Sequence, residues 1–419
     1  MKDLISKFGS FDRPSQLLMV NQFSINLGFY MLMPYLAGHL SADLALAGWA
    51  VGLILGVRNF SQQGMFLIGG TLADRLGYKP LIVAGCALRT AGFVLLGLVD
   101  SVPALIIASA ATGFAGALFN PAVRAYLAKD AGEERRVEAF ALFNVFYQAG
   151  ILLGPVVGLV LTSLAFQMTC LVAAAVFAGL TVLQIRSLPA RSSGTGEKTA
   201  RTSIRQDWST AFGNRSFLLF SFAMIGSYVL SFQIYLALPL EARRVGGPGV
   251  AGTALVAALF AVSGGLAIAG QLRITAWCRQ RWGRGRCITI GLLFMGAAFV
   301  PPMLTAGATS AAFGWASLLL SAALLAIGTI VVFPFEMDTI ITLSGGKLVA
   351  THYGLYNTVV GVGILLGNLV TGTALDVARN AGAPAAPWGV LAVLGAGCAW
   401  CLYALDKAEH LTPAVSAKA

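Results

Sequence analysis

The sequence has 419 residues, of which 57% are hydrophobic and only 11% are charged. Because soluble globular domains carry about 25% charged residues, this composition excludes an ordinary soluble protein and predicts a chain that lies mainly in lipid. The formal net charge of +11 would be compatible with a nucleic-acid partner, but the placement of the charges, described below, accounts for it without one.

Twelve hydrophobic stretches, each about as long as the roughly 20 residues that cross a bilayer as a helix, predict an all-α membrane protein. They lie at 16–38, 46–72, 80–99, 103–128, 138–163, 166–187, 214–239, 249–275, 287–306, 313–341, 351–375 and 387–406. We expect an N-terminal six-helix bundle at 1–187, a cytoplasmic linker at 188–213 and a C-terminal six-helix bundle with a short tail at 214–419. Within the polar, Ser- and Arg-rich linker, a short amphipathic helix is expected around Ile204–Phe212.

One stretch of the sequence occurs twice, about half a chain length apart. The segment Gly150-Ile-Leu-Leu-Gly154-Pro155 recurs as Gly363-Ile-Leu-Leu-Gly367-Asn368. Self-similarity at this spacing predicts two structural repeats. In a membrane protein, two parallel repeats are typical of a transporter.

The positive charges indicate the orientation of the chain. Most of the 28 Lys and Arg residues fall in loops on one side of the predicted helices, and the loops on the other side contain only Arg243, Arg244 and Arg379. Because Lys and Arg accumulate in cytoplasmic loops, both termini are expected in the cytoplasm. This distribution explains the basic net charge, and the expected location is the bacterial inner membrane.

The loop after the second helix reads Gly70-Thr-Leu-Ala-Asp74-Arg75-Leu-Gly77-Tyr-Lys79. This pattern resembles the loop signature of the major facilitator superfamily. The fifth helix, with Gly150, Gly154, Pro155 and Gly158, resembles the antiporter motif of the same family, and together the two motifs are similar to those of its twelve-helix drug/proton antiporters. The resemblance implies the major facilitator fold, with two pseudo-symmetric six-helix bundles.

These two motifs supply the candidate gating residues: Gly70, Asp74, Arg75, Gly77, Lys79, Gly150, Gly154, Pro155 and Gly158. Gly77 permits a tight turn, and Asp74 could face the N-terminus of a helix from another segment. The resemblance implies that this contact is a latch between the halves; the alternative is a positively charged loop with a helix terminator. Glycines four residues apart permit close helix packing, and we expect this face, bent at Pro155, at the seam between the halves. Ordinary packing is the alternative.

Charged residues within membrane helices are candidates for proton coupling. They are Glu336 and Asp338 in the tenth helix and Arg58, Arg89 and Arg124 in the first half. Charges at matching depths could pair across the halves and exchange a cation partner for a proton; the alternative is that Glu336, Asp338 and Arg124 lie in a water-filled funnel. The first helix has no acid, and Ser109 stands where the family often has an arginine. Coupling through the tenth helix, and weak or absent coupling, therefore both stay open.

The resemblance implies a central cavity lined by the first, fourth, seventh and tenth helices. The candidate substrate-binding residues are Asn21, Asn26, Tyr30, Tyr228, Gln233, Tyr235 and Phe335. Amide and aromatic side chains with few charges suit large apolar or amphipathic ligands. The alternative is that many of these side chains face lipid or neighbouring helices.

Other chemistry is not indicated by the sequence. The three histidines are scattered, no metal site is expected, and Gly345-Gly346-Lys347 lacks the remaining positions of a phosphate-binding loop. We therefore expect neither an enzyme nor an ATP-driven pump, and no cofactor beyond the proton motive force. The predicted function is export of drug-like small molecules by a monomer that alternates its access and exchanges protons. Export of one endogenous metabolite (a siderophore or a lipid-like molecule), an uptake permease and a non-transporting receptor are the alternatives.

Overall fold

The computed structural model describes residues 2–40, 44, 46, 48–162, 164–189, 204–246, 250–307 and 310–411. Within these ranges the chain forms helices and no β-strand. In chain order the helices are α1 (Lys2–Gly9), α2 (Arg13–Tyr30), α3 (Met33–Gly38), α4 (Gly48–Gln63), α5 (Phe66–Leu76), α6 (Tyr78–Leu98), α7 (Val102–Thr162), α8 (Phe166–Ser187), α9 (Ile204–Gly213), α10 (Arg215–Ala223), α11 (Ile225–Phe232), α12 (Ala237–Gly246), α13 (Val250–Arg281), α14 (Arg284–Ala297), α15 (Val300–Thr305), α16 (Ala311–Leu343), α17 (Val349–Asn380) and α18 (Ala386–Lys407).

The described residues of each predicted transmembrane stretch are mainly helical, but the divisions between helices differ from the prediction. The first, second, seventh and ninth stretches are each divided into shorter helices. The fourth and fifth are merged in α7, where Gly132 alone has non-helical dihedral angles, with φ of 69°. Nine stretches of the described residues are long and apolar enough to cross a membrane, and one of them, Val102–Gly158, contains both merged helices.

The linker between the predicted bundles is described only in part. Residues 190–203 lie outside the described ranges. The amphipathic helix expected around Ile204–Phe212 is present as α9.

Contacts divide the chain into two units. Unit 1 contains Met1–Asn214 together with Ser344–Thr358, and unit 2 contains Arg215–Leu343 and Val359–Ala419. The segment that joins unit 1 from the second half includes the first turns of α17. The predicted boundaries assign this segment to the C-terminal bundle, and those boundaries stay a prediction.

In unit 1, α7 packs against α2, α4, α5 and α6. Some of these contacts are too close for any residue except glycine. A β-carbon at Gly69 would lie 1.9 Å from the carbonyl oxygen of Ala117, and one at Gly85 would lie 2.8 Å from that of Ala115. Small residues thus allow α5 and α6 to approach α7 closely, as is common in membrane bundles.

In unit 2, α14 packs against α16 and α18. Glycines face each other where α14 meets α16, since β-carbons at Gly291 and Gly328 would lie 3.1 and 2.8 Å from each other's carbonyl oxygens. The rings of Phe299 and Trp388 stack with their centroids 6.4 Å apart. Close backbone packing and aromatic contacts therefore hold this unit together.

The close approach of α5 to α7 gives a direct test of the fold. We expect Gly69→Ala to lower the free energy of unfolding by about 1–3 kcal/mol, because a β-carbon would overpack this contact. Gly179→Ala is the matched control, since nothing lies within 4 Å of a β-carbon there. Thermal unfolding in detergent measures both variants. Equal midpoints for Gly69→Ala and the unsubstituted protein would contradict the packing described.

Candidate functional site

The loop motif forms a tight turn between α5 and α6. Gly77 lies between the two helices with φ of 92° and ψ of 156°. Residues other than glycine rarely adopt this backbone conformation, because their β-carbon would clash with the backbone. The turn expected at Gly77 is therefore present, and it ends α5 three residues after Asp74.

The carboxylate of Asp74 caps the N-terminus of α17. Its Oδ1 accepts a hydrogen bond of 3.2 Å from the backbone N–H of Ala350. Its Oδ2 accepts bonds of 2.6 Å from the backbone N–H and 2.7 Å from the hydroxyl of Thr351. The first N–H groups of a helix have no partner within it, and they carry the positive end of the helix dipole. A carboxylate satisfies both requirements.

Backbone contacts hold α5 and α17 together around this cap. A β-carbon at Gly70 would lie 2.1 Å from the carbonyl oxygen of Ala350, and one at Gly354 would lie 2.4 Å from that of Phe66. The two helices could not approach this closely with larger residues. Gly70 thus brings Asp74 within hydrogen-bonding distance of α17.

The linker helix α9 docks on the same loop. The guanidinium of Arg75 donates two hydrogen bonds to Asp207, of 2.8 and 2.6 Å, and Asp207 is only 5% exposed. The indole N–H of Trp208 donates to the hydroxyl of Thr71 at 2.7 Å. The sequence analysis missed Asp207 and Trp208. The available signal was an acid and a tryptophan on the amphipathic linker helix, but it does not say where that helix binds.

Lys79, at the start of α6, donates a hydrogen bond of 2.9 Å to the carbonyl oxygen of Ile185 near the end of α8. The two cations of the loop motif thus have different partners, since Arg75 binds the linker helix. Both partners lie in unit 1.

The small-residue face of α7 packs closely against α2. It consists of Gly150, Gly154 and Gly158. A β-carbon at Gly150 would lie 2.5 Å from the carbonyl oxygen of Phe23, and one at Gly158 would lie 1.9 Å from that of Met31. These partners lie in α2 or directly after it and belong to unit 1 as well. That this face forms a seam between the halves stays a prediction. The sequence pattern requires a close neighbour but does not identify it.

Pro155 lies inside α7 without interrupting its helical backbone. Its carbonyl oxygen accepts a hydrogen bond of 2.6 Å from the hydroxyl of Tyr35. The one interruption of helical geometry in α7 is at Gly132. A role of Pro155 in gating stays a prediction.

Both acids of α16 are buried, and each has a partner in unit 2. Glu336 is 3% exposed and accepts a hydrogen bond of 2.7 Å from the hydroxyl of Tyr228. Asp338 is 4% exposed, and its Oδ2 lies 3.0 Å from the Nε of Arg284. The structure thus joins a candidate for coupling to a candidate for substrate binding. It also pairs Asp338 with Arg284, a cation that the sequence pattern does not relate to this acid.

Arg58 and Arg89 are held by neutral groups. Arg58 donates to the side-chain oxygens of Asn59 at 2.7 Å and Gln62 at 3.0 Å. Arg89 is 2% exposed and donates to the carbonyl oxygen of Thr112 at 3.1 Å. Among the described residues, neither guanidinium forms an ion pair with a carboxylate.

Arg124 lies near a pair of tyrosines in unit 1. Its charge acts on Tyr147, which is hydrogen-bonded to Tyr30. The pairing of Arg124 with an acid of the tenth helix stays a prediction.

The seven substrate-binding candidates differ widely in exposure. Those that are buried are Asn21, Asn26, Gln233 and Phe335; those that are half-buried are Tyr30 and Tyr228; Tyr235 is 46% exposed. Several buried members already have local partners, since Asn26 donates to the carbonyl oxygen of Gln22 and Gln233 donates to that of Val229. Phe335 is 2% exposed, and nearly every residue around it in α16 is also buried. In this arrangement Tyr30, Tyr228 and Tyr235 are the candidates with surface to offer a ligand.

Two small cavities in unit 2 flank an ion pair that the sequence analysis did not single out. They have volumes of about 170 and 110 Å³, and both are lined by Glu241 and Arg244. Pockets for drug-sized ligands measure about 300–1,000 Å³. Each cavity is therefore too small for a whole drug-like molecule.

Residues 18–368 match the family model described as Major Facilitator Superfamily. The uncharacterized MFS-type transporter Rv0849 of Mycobacterium tuberculosis is 55% identical over 392 residues, which cover 93% of this chain and 92% of the relative. The multidrug resistance protein MdtH of Escherichia coli (strain K12 / DH10B) is 26% identical over 378 residues, or 90% of each chain.

Two solved structures resemble this chain in fold. The human organic anion transporter MFSD10 has a TM-score of 0.71 at 15% identity, with 93% of this chain and 99% of that chain covered. The E. coli fucose:proton symporter FucP has a TM-score of 0.70 at 16% identity, with 93% and 98% covered. At these identities the likeness shows the fold alone.

The burial of Asp74 predicts an unusual titration. Asp74 lies beyond the predicted span 46–72, and burial raises the pKa of its carboxyl to about 6, although the hydrogen bonds from Thr351 and Ala350 counter part of this effect. The folded protein therefore binds a proton more readily than a free Asp with a pKa of 3.8 does. The contribution of this group to stability is thus largest at low pH and falls as the pH rises from about 4 to about 6.

We expect infrared difference spectra to show the carbonyl band of a protonated carboxylic acid that disappears with a midpoint near pH 6. The band should be missing in Asp74→Asn and retained in Asp100→Asn, which removes an exposed acid. A band of unchanged intensity in Asp74→Asn would show that another group is responsible.

Proposed function

Because this chain belongs to the major facilitator superfamily, we propose that it exports hydrophobic or amphipathic, drug-like small molecules in exchange for protons. The family makes the chain a multi-pass membrane transporter, a secondary carrier and not an enzyme. The all-α major facilitator fold and the family resemblance predicted from the sequence are thereby confirmed. The name of the relative MdtH supports the finer proposal of drug efflux.

The observation that carries the proposal is the cap that Asp74 forms on α17. It joins residues from the two halves of the sequence, at the side predicted to be cytoplasmic. A carrier that alternates its access must break and remake such contacts in every cycle. Hydrogen bonds to a charged acceptor contribute about 1.5–3 kcal/mol each, which is enough to favour one state without locking the protein in it.

Proton exchange is proposed to take place at Glu336. Its carboxylate accepts the hydroxyl hydrogen of Tyr228, a half-buried candidate for substrate binding. Protonation would remove the negative charge that holds this hydrogen bond and would free Tyr228 to contact a substrate. Proton and substrate would then act on one pair of side chains, as exchange requires. Asp338 is the weaker candidate, because its ion pair with Arg284 stabilises its charged form.

The energy source in this proposal is the proton motive force, without a bound cofactor or metal. The proposed location is the bacterial cytoplasmic membrane, with both termini in the cytoplasm, in line with the distribution of Lys and Arg. The proposed working unit is a monomer, with the lipid bilayer and the small-molecule substrate as its partners.

Export of one endogenous metabolite is the second candidate function. The burial of Asn26, Gln233 and Phe335 favours it, since a promiscuous site needs adaptable exposed surface. A screen of substrates separates the two candidates, because several unrelated substrates indicate multidrug export and a single substrate indicates the metabolite.

Transport into proteoliposomes under an imposed pH gradient, with dyes, antibiotics and metabolites as substrates, tests the proposal. We expect uptake that depends on the gradient for several chemically unrelated compounds. Glu336→Gln should reduce it at least about tenfold, because the neutral side chain cannot exchange a proton. Glu409→Gln, which replaces an exposed acid of unit 2, should leave it unchanged. Transport by Glu336→Gln with the pH dependence of the unsubstituted protein would contradict this assignment, and no gradient-driven transport of any compound would contradict the proposed function.

A further inference from the structure

The predicted membrane helices of the first half have an excess of positive charge. The six stretches contain Arg58, Arg89, Arg124 and, at the end of the last stretch, Arg186, but Glu138, at the very start of one stretch, is their only acid. A charged side chain within a membrane protein normally pairs with an opposite charge or with backbone carbonyls. The first-half helices thus offer these arginines almost no partner of opposite charge.

Arg58 and Arg89 meet at one aromatic ring. The guanidinium carbons of Arg58 and Arg89 lie 4.3 and 5.2 Å from the centroid of the Phe29 ring. Arg89 also lies 4.9 Å from the Phe119 ring and 5.4 Å from the Phe177 ring. Two positive charges thus share one apolar, aromatic environment, where charge is costly to bury without a partner.

The hydrogen bonds within the protein leave part of this pair unsatisfied. The Nε atoms of Arg58 and Arg89 are buried and have no acceptor among the described residues. The acceptors that the two side chains do have are neutral amide or carbonyl oxygens. Planar guanidinium groups are suited to bind a carboxylate or a related anion through two parallel hydrogen bonds.

The local packing leaves room for these side chains and for access to them. A β-carbon at Gly116 would lie 2.6 Å from a terminal nitrogen of Arg89, so the absence of a side chain there makes space for the guanidinium. Arg58 is half-buried and the neighbouring Asn59 is exposed. An anionic group could therefore reach Arg58 first and the more deeply buried Arg89 behind it.

We propose that Arg58 and Arg89 bind the anionic group of the transported molecule, so that the substrates are amphipathic organic acids with an aromatic or apolar body. The two guanidinium groups hold a carboxylate or sulfonate, and the half-buried Phe29 contacts the body of the molecule. This inference rests on the transport function proposed above and specifies the chemical class of its substrates.

Binding to the purified full-length protein in an uncharged detergent tests this site. The probes are fluorescein, an anionic xanthene dye, and rhodamine 6G, a cationic dye with the same ring system, and fluorescence anisotropy reports their binding. Fluorescein should bind more tightly than rhodamine 6G to the unsubstituted protein. Arg58→Gln and Arg89→Gln should each weaken fluorescein binding at least about tenfold, which corresponds to about 1.4 kcal/mol, whereas Arg58→Lys should retain more of the affinity.

Arg135→Gln is the matched control. Arg135 also lies over an aromatic ring in unit 1, 3.9 Å from the centroid of Phe11, but it has Glu138 as an ion-pair partner. Its substitution should leave fluorescein binding unchanged. Size-exclusion profiles and thermal unfolding show which variants are folded, and Arg58→Gln with Arg58→Lys carries the test if Arg89→Gln does not fold.

Two results would overturn the inference: equal fluorescein binding in folded Arg58→Gln, or tighter binding of rhodamine 6G than of fluorescein. Gradient-driven transport of rhodamine 6G without fluorescein binding would overturn this inference alone. Fluorescein binding without transport of any compound would overturn the proposed function instead.

Discussion

The contact between the Asp74 carboxylate and the first N–H groups of α17 is the constraint on which the rest of this structure depends. It is made by charge, since a carboxylate satisfies the open end of a helix, and by shape, since Gly70 and Gly354 allow the two helices to touch. The contact also has a cost, because burial of the carboxylate raises its pKa. A favourable and an unfavourable contribution thus oppose each other, which makes such a cap suitable for a step that has to be reversed many times.

The charged residues discussed above have three kinds of partner. Asp338 has a cation, Arg284, as its partner. Glu336 has a tyrosine hydroxyl. Within the part of the chain that the structure describes, Arg58 and Arg89 have only neutral acceptors and aromatic rings. An ion pair has the least need of a further proton or ion, because each charge neutralises the other. The other two depend more strongly on protonation or on a bound anion, and for that reason we place proton exchange at Glu336 and substrate recognition at the arginine pair.

The sequence predicted those features that depend on composition and local geometry. Long apolar stretches predict helices because unpaired backbone groups are excluded from lipid, and the positive φ at Gly77 follows from the position of a glycine at a helix end. Features that depend on a distant neighbour were not predictable. The small-residue face of α7 requires a close partner, but α2 could not be identified as that partner from the pattern. Phe335 lies in α16, whose apolar residues are spread around the whole helix, so their periodicity shows no single buried face. The docking of Asp207 on Arg75 joins residues far apart in the chain, and no local rule relates them.

The direct test of the Asp74 cap is a comparison of substrate affinity with transport turnover for Asp74→Asn in one purified preparation. The amide cannot supply the negative charge that the α17 N-terminus favours, and Asp74 is not itself one of the candidate substrate contacts. Turnover should fall at least about tenfold, while the dissociation constant of a transported dye changes less than about twofold. Unchanged turnover, or equal losses of turnover and affinity, would contradict the central role assigned to this contact.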